Sequence, residues 1–335
     1  CAILAASGQV PADALRSRAL YAELSLGGEL RACRGGVAVA EAARVAGLRE
    51  LVVARDGAVE AALVEGLGIA GARDLTEVVA LLRGGEVPGP PPPPPPPAAG
   101  PAAGLPDLAD VLGQHEAAQA LVIAAAGGHN LLMAGPPGNG KTMLARRLPG
   151  ILPPLSNREA LEVTRIRSIA GLHDGQGLVR SRPFRAPHHT TSPSGLVGGG
   201  SLPRPGEVTL AHLGVLFLDE LSEFSRSALE SLRQPLEDGV VTVVRGQRAA
   251  RFPARCMVVA TTNPCPCGGG ACRCNSAERE RYLRKLSGRV SALDVALQLP
   301  DMVRTVITLG SPFANDVTAT NARKSVPSKL FALCE

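Results

Sequence analysis

The sequence predicts an α/β protein: a small α/β unit at the front, then a larger unit built on a parallel sheet. Three observations predict it. Along residues 1–86, short apolar runs alternate with Ala-rich stretches of helical period. Further on, Gly135-Pro-Pro-Gly-Asn-Gly-Lys141-Thr142 lies between an apolar run and a helix-like stretch. Finally, Val215-Leu-Phe-Leu218 is a four-residue apolar run that ends in Asp219-Glu220. Such a run marks a strand buried on both faces, as in parallel sheets.

In the first unit, residues 22–26 and 51–54 read as strands, and residues 37–46, 58–67 and 75–82 as helices. Residues 87–104 contain eight consecutive prolines, 90–97. This run predicts a semi-rigid polyproline II linker of about 25 Å, at about 3.1 Å per residue. The second unit opens near Leu105 with a helix over 107–126, stopped by Gly127-Gly128. A strand over 129–134 leads into the glycine-rich loop, and a helix over 140–148 leaves it. After the Val215 strand, a helix runs from an N-cap at Ser225 to Glu237. A hairpin follows over 240–252 with Gly246 at its tip, then a strand over 256–261 that ends in Thr262-Asn263-Pro264.

Composition bounds the function. The chain has 335 residues, 45% of them apolar, enough for about two cored domains. No apolar run approaches the roughly 20 residues that span a bilayer. With Cys1 at the start and no charged leader, the chain reads as an internal piece of a soluble cytoplasmic protein. Residues 141–210 hold ten Lys/Arg against four acids, a local +6 that suggests a polyanion-facing surface. Aromatics are 2% with no Trp, so nucleic-acid contacts should go to phosphates and not to stacked bases.

Lysine is nearly absent: Lys141, Lys285, Lys324 and Lys329 stand against 31 arginines. One kept inside G-x-x-x-x-G-K-T is there for its chemistry. The pattern is a P-loop, in which Gly135, Pro136, Pro137, Gly138, Asn139 and Gly140 wrap phosphates with backbone N–H groups. Lys141 reaches the β/γ oxygens, and Thr142 ligates Mg²⁺. The predicted ligand is ATP with Mg²⁺. Asp219 is a direct or second-shell Mg²⁺ partner, and Glu220 is placed to act as general base on the attacking water. Asn263, polar at the next strand end, either orients that water or serves as a turn-former before proline. Cys265, Cys267, Cys272 and Cys274 form two Cys-x-Cys pairs joined by a glycine-rich turn, which suits a structural Zn²⁺, with free or redox-active thiols as the alternative. Cys1, Cys33, Cys256 and Cys334 read as packing residues, and His188, His189 and His212 as hydrogen-bonded histidines without a ligand set.

With these residues in place, residues 1–287 resemble the magnesium-chelatase-like AAA+ ATPases, in the ComM/YifB competence-protein branch. The matching stretches include the P-loop, Arg182-Pro-Phe-Arg-Ala-Pro-His-His189, Pro205-Gly-Glu-Val-Thr-Leu-Ala-His212, Leu232-Arg-Gln-Pro-Leu-Glu237 and Asn263-Pro-Cys-Pro-Cys-Gly268. The resemblance implies Walker A at Lys141 and Thr142, Walker B at Asp219 and Glu220, and sensor 1 at Asn263. It implies a hexameric, ATP-driven branch-migration motor on single-stranded or branched DNA, used in recombination and natural transformation. It also implies an insertion around 180–205 and a pre-sensor hairpin near 240–252, on which Arg245, Arg248 and Arg251 are candidate phosphate contacts. Residues 1–86 are similar to part of a Lon-protease-like domain of the ribosomal S5 domain 2-like class. They contain no lysine, so a Ser/Lys dyad is excluded. A true magnesium-chelatase subunit, or a nucleotide-dependent scaffold with little turnover, are the competing readings.

From residue 288 the resemblance ends. The arginine finger and the lid domain of the family are missing, and Leu293 stands where the arginine would be. Residues 289–335 resemble an α/β-hydrolase fragment without its G-x-S-x-G elbow. Poor ATP turnover and impaired ring closure are expected.

Overall fold

A computed structural model describes residues 1–86, 105–175, 177–200, 204–245, 248–263, 265–267, 274–278, 280–282, 284–286 and 305–308. For residues 245, 248 and 305–308 it describes the backbone alone. The polyproline linker, Cys272 and the position of Leu293 lie outside these residues. The chain divides into two compact units: residues 1–99 with 156–179, and residues 100–155 with 180–335.

The first unit holds a three-stranded parallel sheet in the order Arg18–Tyr21, Glu50–Ala54, Gly68–Ala72. Alternation along the central strand divides the core. Leu51 and Val53 pack with Val37 and Ala40 of helix Gly36–Val45 and with Ala58 and Ala61. On the opposite face, Val52 packs with Val78, Leu81 and Leu82 of helix Leu75–Leu82. That helix starts where predicted, its N-cap Asp74 accepting the Glu77 N–H at 2.9 Å.

Two expected elements shift. The first sheet strand is Arg18–Tyr21, before the expected 22–26; Glu23–Leu24 instead turns back through Gly28 (φ +88°) to pair with Leu30–Arg31. The helix expected over 58–67 ends at Ala61, and a third strand, Gly68–Ala72, follows. Its two glycines hide it from hydropathy. A Cβ on Gly71 would sit 2.9 Å from the Ala58 Cβ, so close packing requires the bare backbone.

The sequence reading missed helix Asn157–Ala170, which belongs to the first unit although it lies inside the expected second domain. It begins in a capping box of Ser156 and Glu159 and ends at Gly171 in the left-handed region. Leu161 packs against the Val37–Ala58 cluster, Arg165 pairs with Glu41 at 2.6 Å, and the Ser168 hydroxyl donates to Glu60.

The second unit carries a five-stranded, all-parallel sheet in the order Thr305–Thr308, Leu131–Ala134, Met257–Thr262, Val215–Leu218, Phe184–Arg185. The edge strand Thr305–Thr308 thus comes from the segment expected to resemble an α/β-hydrolase fragment. Leu131, Met133, Val215, Phe217, Met257 and Val259 share one buried cluster with Leu121, Leu144 and Leu148. All four residues of Val215–Leu218 are buried, as a central parallel strand requires. The helix expected over 107–126 is His115–Gly127; Gly113 (φ +71°) separates it from a short 3-10 turn at Leu108–Asp110. Helix Lys141–Ala145 gives way to a separate helix Leu148–Ile151, whose Pro149 suits a first turn. Helix Arg226–Asp238 and the antiparallel hairpin Val240–Arg245/Arg248–Pro253 stand where expected.

Candidate nucleotide-binding site

The three central strands end side by side. Leu131–Ala134 runs into the glycine-rich loop, Val215–Leu218 into Asp219-Glu220, and Met257–Thr262 into Asn263. Ligands of open α/β sheets sit at these carboxyl ends. The Gly135 N–H donates to the Thr262 carbonyl at 3.2 Å, tying the loop to the neighbouring strand. Gly138 (φ +81°) and Gly140 (φ +76°) take the left-handed conformation that bends the loop. At Gly140 a Cβ would also meet Met143 Cε at 3.2 Å and Gln114 Nε2 at 3.3 Å.

Lys141 is only 8% exposed. Its Nζ donates to the carbonyls of Gly135 (2.6 Å) and Pro136 (2.8 Å) and to Asn263 Oδ1 (3.2 Å). Burial pulls its pKa below the ordinary lysine value; the nearby Asp219 and Glu220 charges work in the opposite direction. Thr142 Oγ1 donates to Asp219 Oδ2 at 3.0 Å, and Thr261 Oγ1 donates to Asp219 Oδ1 at 2.5 Å. Both carboxylate oxygens are therefore fixed. The Thr261 hydroxyl accepts the Glu220 N–H at 2.9 Å. Glu220 itself is exposed and left-handed at φ +53°, a strained setting for a non-glycine residue.

This donor set fits Mg²⁺. Thr142 offers a hydroxyl and Asp219 a half-buried carboxylate, two hard oxygen ligands already in contact. The arrangement can cradle phosphates, hold a divalent cation and present a carboxylate to water.

Residues 107–306 match the family model described as magnesium chelatase, subunit ChlI. The chain belongs to the magnesium chelatase ChlI family. Among relatives, it is 46% identical over 304 residues to the uncharacterized protein Rv2897c of Mycobacterium tuberculosis, covering 89% of this chain and 60% of the relative. It is 45% identical over 306 residues to the uncharacterized protein YifB of Escherichia coli, covering 89% of this chain and 59% of the relative. It is 43% identical over 304 residues to the competence protein ComM of Haemophilus influenzae, covering 89% and 60%. The chain thus spans about 60% of the length of the curated relatives it matches. A solved assembly of subunits BchI and BchD of magnesium chelatase aligns at 19% identity and TM-score 0.41, covering 65% of each chain.

Three residues of this candidate site escaped the sequence reading. Gln114 donates its Nε2 to the Asn139 carbonyl at 2.8 Å, and its buried Oε1 meets no partner among the described residues. Thr261 braces Asp219. Tyr282, buried, donates its hydroxyl to the Asn263 carbonyl at 3.0 Å. Tyr282 carried a signal, as one of only two tyrosines in the chain.

The Sγ atoms of Cys265, Cys267 and Cys274 lie within 4.8 Å of one another. Burial pushes the Cys256 thiol up to about 12, which suits a packing role. His212 Nδ1 accepts the Arg255 N–H at 3.1 Å, so this histidine is a structural one.

Several basic groups of residues 141–210 have partners within the fold, while Arg146, Arg158 and Arg204 are exposed. Lys141 is buried, and Arg165 pairs with Glu41. Arg185 forms a bidentate pair with Glu207 at 2.7 and 2.8 Å, which raises its pKa. Arg182 donates to the Pro153 and Leu213 carbonyls at 2.5 and 2.7 Å. On the hairpin, Arg245 pairs with Arg248 at the closed end, and Arg251 pairs with Thr242 on the exposed face.

Proposed function

We propose that this chain is the nucleotide-hydrolysing core of an ATP-driven AAA+ motor acting on DNA, of the ComM kind. The observation that supports this best is the two neighbouring hydrogen-bonded pairs, Lys141 with Asn263 and Thr142 with Asp219, across three adjacent strand ends. In this reading Lys141 exchanges loop carbonyls for β- and γ-phosphate oxygens, and the turn at residues 135–140 donates its N–H groups. Thr142 and Asp219 would hold Mg²⁺, which when bound neutralises charge developing on the phosphoryl group. Glu220 takes the proton of the attacking water, and Asn263 orients that water. Arg251, with Arg245 and Arg248, contacts DNA phosphates. Residues 1–86 act as a Lon-like accessory domain, and the working assembly of such motors is a hexameric ring in the cytoplasm, which this chain, with Leu293 in place of the finger, closes poorly. With Leu293 in place of an arginine finger, a contribution of about 10³–10⁵ in rate is missing, so turnover is slow.

The test is ATP hydrolysis measured with and without single-stranded or four-way-junction DNA over a salt series. Stimulation by DNA, with binding that weakens steeply as salt rises, supports the motor. No effect of DNA on ATPase activity or on oligomeric state would overturn it.

A second reading, metal insertion into a tetrapyrrole, draws support from the family description itself. Metallated product on adding porphyrin, Mg²⁺ and partner subunits would reverse the ranking. A nucleotide-dependent scaffold is separated by Glu220→Gln, which stops a motor but leaves a scaffold unchanged.

A further inference from the structure

We infer that Cys265, Cys267 and Cys274 bind one structural zinc ion, and that this metal fixes Asn263 where it meets Lys141. The first half stands on convergence. Three thiols from positions 265, 267 and 274 bring their sulfurs within 4.8 Å of one another. Tetrahedral zinc with Zn–S bonds of about 2.3 Å needs sulfur–sulfur edges of about 3.8 Å, so small side-chain rotations suffice. Cys265 and Cys267 are at 3.0 Å and must spread by less than an ångström. They are well beyond the roughly 2.05 Å of a disulfide. All-sulfur ligation selects a soft metal of tetrahedral preference. The sequence offers a fourth thiol, Cys272, two residues before Cys274.

The second half concerns what the metal would hold. Cys265 is 3% exposed and lies two residues beyond Asn263. Asn263 is gripped from both sides: its Oδ1 accepts from Lys141 at 3.2 Å, and its carbonyl accepts from Tyr282 at 3.0 Å. Tyr282 lies eight residues beyond Cys274. The chain therefore leaves Asn263, passes through the cysteine cluster and returns to cap the same residue. A metal cross-link within that excursion shortens the loop whose ends must meet and lowers the entropy lost in positioning Asn263. Asn263 is here a positioning residue for Lys141, and this half rests on the nucleotide-site reading above.

The experiment is elemental analysis of the full chain, purified in reducing, chelator-free buffer, beside calorimetric titration with ATP and Mg²⁺. We expect about one zinc per chain, and a thiolate-to-cobalt charge-transfer band after Co²⁺ exchange. Cys267→Ser, at an exposed ligand, loses the zinc and weakens ATP binding several-fold, as does Asn263→Ala. The double variant is no weaker than the weaker single one, since both changes release one contact. Cys267→His keeps an N ligand, so it restores zinc and affinity together, which a merely misfolded variant could not do. Chain without zinc, iron in its place, or a Cys265–Cys267 disulfide overturns the metal site. Zinc lost from Cys267→Ser with ATP affinity unchanged overturns the coupling. Stoichiometric zinc in a wild-type chain that binds no ATP upholds the metal site and overturns the nucleotide reading instead.

Discussion

Thr142 Oγ1 lies 3.0 Å from Asp219 Oδ2, joining the first turn of helix Lys141–Ala145 to the end of the buried Val215–Leu218 strand. The residues are 77 apart in sequence. Thr261 occupies the other carboxylate oxygen, so Asp219 is held by two hydroxyls that can each rotate to suit an arriving cation. Asp219→Asn removes the charge and keeps the shape. It should abolish the Mg²⁺-dependent tightening of nucleotide binding and lower turnover on the order of 10²-fold, the scale of several kcal/mol of lost charge stabilisation. Titration with ATP, with and without Mg²⁺, checks it.

Glu220 has a separate role. It is exposed, and it is its backbone N–H that donates to Thr261, so its carboxylate can be changed while that bond is kept. Glu220→Gln should keep ATP and Mg²⁺ affinity within a few-fold and lower phosphate release by about 10²–10⁴-fold. Equal loss of binding and turnover would place Glu220 among the binding groups.

Lys141 gives a pH signature. Its pKa in the fold lies below 10.5, chiefly through burial, so the unfolded chain keeps the proton to higher pH than the folded one. The charged lysine therefore costs stability at neutral pH. That cost is relieved as pH rises from the folded pKa towards 10.5. Wild type should gain stability relative to Lys141→Met over that window in denaturant unfolding at a series of pH values. Phosphate binding, which needs the charge, should weaken over the same window.

Thr164 secures the helix that the sequence reading missed. Fully buried, its hydroxyl donates to the Ala160 carbonyl at 2.6 Å and accepts the Val179 N–H at 2.9 Å. Thr164→Val keeps the volume but strands the Val179 donor, at a cost of about 1–3 kcal/mol. The melting temperature should fall by several degrees, while Thr164→Ser, which keeps the hydroxyl, loses less.

Arg251 tests the DNA reading. It stands exposed on the outer face of the hairpin, opposite Val241, Val243 and Phe252, which are buried. If it contacts a phosphate, Arg251→Ala weakens DNA binding alike for all sequences and lowers the salt slope by about one. An unchanged slope would remove it from the interface.

Where local chemistry decides structure, the sequence was sufficient. The G-x-x-x-x-G-K-T loop, the apolar strand before Asp219, Ser225 as an N-cap and the hairpin that follows helix Arg226–Asp238 each announce themselves within a few residues. Elements defined by distant packing did not. Gly68–Ala72 is too small and glycine-rich to look like a strand, yet it is one because Gly71 lies against Ala58. Helix Asn157–Ala170 looks polar, and only Glu41, Glu60 and the cluster around Ala58 show which unit it belongs to. The strand Thr305–Thr308 has no motif and is defined by its pairing with Leu131–Ala134.

The sequence alone determined the type of site: a lysine and a threonine after glycines, two acids after a buried strand, an asparagine after another. Those identities are set by chemistry that tolerates few substitutes, so they are legible in one dimension. The tertiary structure decided how these residues meet. Hydrogen bonds between groups 77 to 122 residues apart bring Thr142 to Asp219 and Lys141 to Asn263. They form because parallel strands, laid side by side by their buried faces, end at the same edge of the sheet. The same packing gave Arg182 and Arg185 acceptors within the fold, since a guanidinium drawn part-way into a fold must find acceptors there.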